Sequence, residues 1–185
     1  MNDIRVRTKK LVLIALFIAI IFAQEEALTF IPNVQLTVLL LMVYGAVVGP
    51  RWGSVIVLAH CFFDNLYMGS LMPQVFIPMA LGWECVMLLG FVGKKMPLYV
   101  KVIFSILGAL IYSWMFVLFN SFMFTNIDIG KYIIADIPFE IVLCFSSAIS
   151  VALLYVPVFK LADKGYNFDK LKDKKDILKD EPIGE

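Results

Sequence analysis

QEEALTFIPNVQLT, residues 24–37, is a polar interruption between two apolar runs that each have the composition of a membrane span. Two carboxylates, an Asn, two Gln and two Thr fall within it. Glu25 and Glu26 close the run before it, and Gln35 and Thr37 open the run after it. In a chain otherwise this apolar, such a segment marks where the backbone leaves the lipid. It is also where a polar ligand would first be met. Working outward from it organises the rest of the sequence.

The chain has 185 residues, of which 61% are hydrophobic and only 17% charged, and its mean hydropathy is +0.88. Soluble domains are roughly half apolar and a quarter charged, so this composition belongs to an integral membrane protein. A crossing takes roughly 20 apolar residues, which leaves room for about six between Lys10 and Lys160. The expected fold is therefore all-α, with six transmembrane helices and no space for a soluble catalytic domain. All three cysteines lie inside apolar runs without CxxC spacing, as packing residues would.

Three regions follow. Residues 1–10 form a basic segment carrying Arg5, Arg7, Lys9 and Lys10; residues 11–161 form the six-helix membrane domain; residues 162–185 form a mixed-charge tail. A basic start followed by an apolar run resembles a signal peptide. No small-residue cleavage site follows Leu11 to Ala23, however, so this run is expected to be retained as the first span. The spans are expected at about 10–27, 34–48, 52–66, 73–92, 98–124 and 132–161. If they alternate, Arg5, Arg7, Lys9, Lys10, Arg51, Lys94, Lys95, Lys101, Lys160 and Lys164 share one side, whereas Lys131 stands alone among acidic residues on the other. The positive-inside rule then puts both termini in the cytoplasm and the loops starting at Gln24, Asp64 and Thr125 outside.

Ala15, Ala19 and Ala23 recur every four residues in ALFIAIIFA, forming a narrow strip low enough for another helix to approach closely. Packing within the bundle and docking of a partner helix both use such a strip. Ionisable groups at membrane depth are costly and normally face a cavity or one another. His60 and Asp64 are four apart on the third span, and Tyr67 continues their face. Glu84 sits beside Trp83 on the fourth span, and Asp136 and Glu140 are four apart on the sixth. Together they suggest a polar pocket under the outer loops, floored by Glu84 and walled by Trp83, Tyr67, His60, Asp64, Asn120 and Glu140. Glu26, Phe30, Asn33 and Gln35 contribute to it from the opening stretch. Bland alternatives remain: His60 with Asp64 as a structural pair, Glu84 bonded to a Ser or Tyr of a neighbouring helix, Asp136 at the water interface. A metal site is poorly supported, with one His in the chain and no HxxxH or Cys/His spacing. No nucleophile has a plausible His relay, so no catalytic set is assigned.

Several spans in under 200 residues, a basic N-terminus, the AxxxA strip, FIPNVQLT (30–37) and FFDNLYMGS (62–70) resemble the S component of an energy-coupling factor (ECF) transporter. S components are the small subunits that capture a vitamin or related micronutrient in a bacterial plasma membrane. The resemblance covers the chain to about residue 161. It implies that Ala15, Ala19 and Ala23 meet a transmembrane coupling subunit, and that two ATPase subunits on other chains supply the energy. The chain itself has no GxxxxGK[ST] and is not expected to bind ATP in that manner, to hold a cofactor or to be an enzyme. Its other contacts are with the lipid bilayer, and no nucleic-acid partner is expected.

The expected outer face is acidic and almost without Arg or Lys, so a desolvated anion there would be repelled. This disfavours folate, biotin, lipoate and pantothenate. Thiamine and its pyrimidine precursor fit by charge, and cobalamin fits by its many amides. FIPNVQLT and FFDNLYMGS are most similar to the cobalamin kind, which places cobalamin first. A small intramembrane enzyme using Glu84, Glu140 and His60, or a self-sufficient carrier, are the competing classes.

Overall fold

The computed structural model describes residues 2–31, 34–69, 71–123 and 129–167, with side chains from Arg7 onward. Asn33 and residues 168–185 of the expected tail lie outside the described residues. The elements are six helices: α1 (Asn2–Leu28), α2 (Thr37–Val48), α3 (Pro50–Tyr67), α4 (Pro73–Val92), α5 (Leu98–Met123) and α6 (Ile129–Tyr166), with a 3-10 turn at Gly93–Lys95. Among the described residues there is no strand. Four helices are long and apolar enough to cross a membrane: Arg7–Leu28, Pro73–Lys95, Leu98–Met123 and Ile129–Tyr166.

The two expected region boundaries fall inside helices. α1 begins at Asn2 and α6 continues past Leu161 to Tyr166. Lys and Arg are good helix formers, so charge ends the apolar run without ending the helix. Lys10 stands over the Tyr166 ring at 5.4 Å, which puts the start of α1 and the end of α6 at the same end of the bundle.

α2 departs most from the expected spans. It has 12 residues rather than the full run from Val34, about 18 Å at 1.5 Å per residue, against a hydrocarbon core of roughly 30 Å. Residues 34–36 are irregular. α2 is the hub of the molecule. Val38 to Tyr44 are all buried, and the helix packs against each of the other five. Its close approach to α4 depends on missing side chains. A Cβ on Gly45 would collide with the Met87 carbonyl oxygen, and one on Gly90 with the backbone of Met42. Gly49, at φ +81°, then turns the chain so that Pro50 can occupy the first turn of α3. α2 begins only at Thr37, and the irregular residues Val34 and Gln35 just before it are the ones that border the site.

Candidate functional site

On α1 the buried residues Ile14, Phe17 and Ile21 mark the inward face. One more helical step along that face reaches Gln24 and Glu25, which meet the start of α2. The Gln24 amide donates to Thr37 Oγ1 at 2.7 Å, and its carbonyl oxygen accepts the Leu36 N–H at 2.8 Å. In turn the Thr37 hydroxyl donates to the Glu25 carboxylate. No side chain of α2 caps its own first turn; Gln24 supplies part of that service from α1. Ser146 on α6 holds the Gln35 backbone, donating to its carbonyl at 3.2 Å and accepting its N–H at 3.3 Å.

Glu25 Oε2 stands 3.5 Å from Nε2 of His60, whose side chain has no exposed surface. Neither imidazole nitrogen has a hydrogen-bond partner among the described residues. In front of Glu25 opens a cavity of about 200 Å³, lined by Glu25, Glu26, Thr29, Gln35, Asp64, Met79 and Tyr112 among others. Tyr112 stacks on the buried Trp83 at 3.8 Å between centroids. On another side Tyr112 borders a second cavity of about 110 Å³, with Ser113, Phe116, Tyr132, Asp136 and Glu140. There Ser113 Oγ is 2.6 Å from Asp136 Oδ2 and 3.0 Å from Glu140 Oε1. No Lys or Arg lines either cavity. Their chemistry is that of hydrogen-bond acceptors and negative charge backed by aromatic rings, suited to cations and amide or amine donors. Among the described residues no group of three His, Cys, Asp or Glu is placed to hold a metal ion.

Of the residues singled out in the sequence, Glu26, Gln35 and Asp64 share the first cavity and Glu140 lines the second. His60 stands behind Glu25 and Trp83 behind Tyr112. Glu84 is elsewhere. Its carboxylate accepts a hydrogen bond from Ser54, one turn from Pro50 and ten residues, about 15 Å of helix, from Asp64. Phe30 is exposed. Tyr67 is also exposed and packs edge-on to Phe22 at 5.5 Å. Asn120 is half-buried on α5, two turns beyond Ser113. Glu25 and Thr37 were named in the opening polar stretch but not assigned to the pocket, and Tyr112 was not singled out. Glu25 was legible from the spacing Ile14, Phe17, Ile21, Glu25; Tyr112 carried no comparable signal.

Ala15, Ala19 and Ala23 are all exposed, so the strip is not consumed by packing within the chain. Ala15 and Ala19 border an apolar groove of about 480 Å³ between α1 and α3, with Phe22, Phe63 and Leu66 on its walls.

No family model matches this chain, and neither a curated protein nor a solved structure is significantly similar to it.

Proposed function

We propose that this chain is the membrane-embedded substrate-binding subunit of an ECF-type importer. It captures a micronutrient from outside and delivers it inward with a coupling subunit and two ATPases carried on other chains. In this reading all six helices cross or enter the bacterial plasma membrane, both termini are cytoplasmic, and the Leu28 end of α1 faces out. The observation that carries it is the Glu25 cavity: acidic, backed by Tyr112 and bounded by Val34 and Gln35 just before α2. A polar pocket lined by side chains of several helices suits capture of a small ligand. The exposed Ala strip beside an apolar groove supports docking of a partner helix.

Cobalamin leads as substrate on the likeness of FIPNVQLT and FFDNLYMGS to the cobalamin kind. Only an edge of so large a molecule would enter a cavity of about 200 Å³, leaving its remaining amides at the mouth. Thiamine or its pyrimidine precursor is the second reading, favoured by that volume and by the acidic lining. Native mass spectrometry of the protein purified from cells grown in rich medium tests both. A retained mass matching cobalamin supports the first and a smaller vitamin the second. A bare chain that also fails to co-purify with ATPase subunits would overturn the importer reading.

A further inference from the structure

The first cavity holds the carboxylates Glu25, Glu26 and Asp64, and the second holds Asp136 and Glu140. Tyr112 lines both. Its ring lies against Trp83 at 3.8 Å and 21° between planes and meets Phe116 edge-on at 5.4 Å. It is seated there because position 82 has no side chain: a Cβ on Gly82 would come within 2.9 Å of Tyr112 Cα and Cδ2. The residue shared by the two linings is thus an aromatic ring that turns about two side-chain torsions. Trp83 Nε1 is buried without a partner immediately beside it.

We infer that the two cavities are lobes of one ligand chamber, with Tyr112 as the swinging divider that sets how long a ligand the chamber admits. Resting on the capture reading above, this narrows the substrate class. The ligand is elongated, with a cationic or hydrogen-bond-donating group at each end to meet the two carboxylate sets. Its middle is flat, to lie against the Tyr112 ring that borders both lobes. An anion at either end would meet carboxylates, with no Lys or Arg in either lining to compensate.

The test uses the full chain in lipid nanodiscs and a probe that needs no knowledge of the ligand. Ser113→Cys places a thiol in the second lobe, and the small cation 2-aminoethyl methanethiosulfonate labels it, with the modified peptide read by mass. Expected is slow labelling with Tyr112 present, a rate at least tenfold faster with Tyr112→Ala, and a rate within twofold of the original with Tyr112→Phe. Tyr112→Leu serves where the Ala variant fails to fold, and Gly82→Ala, which pushes the ring from its seat, should also change the rate. Labelling that is fast from the start, or indifferent to Tyr112, means that the second lobe has its own mouth and overturns the divider. In the native spectra, Glu25→Gln and Glu140→Gln should each lower ligand retention about tenfold. Loss with Glu25→Gln alone confines the ligand to the first lobe and also overturns the proposal. The two readings fail separately: a bare chain with Tyr112-dependent labelling removes only capture, and a loaded chain with Tyr112-independent labelling removes only the divider.

Discussion

Glu25 Oε2 lies 3.5 Å from His60 Nε2, with the imidazole fully enclosed and the carboxylate opening onto the first cavity. The pair can hold one proton in two ways, as neutral acid beside neutral imidazole or as an ion pair, and both are electrically neutral. Asp64, on the helix that carries His60, and Glu26 stand nearby on the same cavity wall, so the surroundings add negative charge rather than relieve it. A donor or cation entering the cavity therefore meets Glu25 first as its partner at depth.

Glu25→Gln keeps an acceptor for Thr37 but removes the charge. Ligand retention in native mass spectra should fall about tenfold, as for loss of a charge-assisted hydrogen bond of roughly 1.5–3 kcal/mol. The thermal midpoint should move little. Undiminished retention would remove Glu25 from the site.

Thr37 is fully buried and joins α1 to α2 through both Gln24 and Glu25. Thr37→Val preserves shape but strands an amide and a carboxylate in the interior, at a cost of about 1–3 kcal/mol. Thr37→Ser should restore most of it. Denaturant or thermal unfolding in detergent reads both variants, and equal stability of the two would show that the hydroxyl is not the joint.

The helical fold was legible because apolar runs bounded by charge or proline admit few alternatives: α4 occupies 73–92 as its composition implied. The length of α2 was not, since apolar Val34 and Leu36 extend the run while the helix begins only at Thr37. The cavity was half legible. Asp64 and Glu140 announced themselves as charges at depth, but which of Glu25 and Glu26 joins Thr37 depends on helix phase, and phase depends on which face α2 covers. Glu84 shows the opposite limit. A charge at depth met its partner in Ser54, a contact that spans 30 positions in sequence and that no local pattern encodes.

That contact gives a third expectation. Because Glu84 is bonded to Ser54 and lines neither cavity described above, Glu84→Ala should leave ligand retention within about twofold. Stability should drop by about 1 kcal/mol, the net worth of a hydrogen bond. A loss of retention as large as that from Glu25→Gln would place Glu84 back in the site.

Packing of α2 on α4 yields a fourth. At Gly90 an added methyl meets the backbone of Met42 rather than a movable side-chain end, so Gly90→Ala must push two helices apart. Overpacking of this kind costs about 1–3 kcal/mol. Gly49→Ala, with nothing near its Cβ but a φ of +81° and ψ of 174°, should cost about 1–3 kcal/mol through backbone strain alone. Unfolding midpoints rank the two, and a neutral Gly90→Ala would mean that the interface is looser than its geometry.

The fifth concerns the strip on α1. Ala15 and Ala19 are exposed and border the apolar groove between α1 and α3, so large side chains there should be tolerated by the isolated chain. Ala15→Trp with Ala19→Trp should leave the unfolding midpoint and ligand retention near their original values. Each indole would fill the groove and hold a partner helix away from the backbone, removing the close approach that small residues permit. On the proposed importer reading, co-purification with coupling and ATPase subunits should therefore be lost while capture persists. Assembly that survives both substitutions would move the docking surface off α1, and loss of capture together with assembly would show that the strip supports the fold instead.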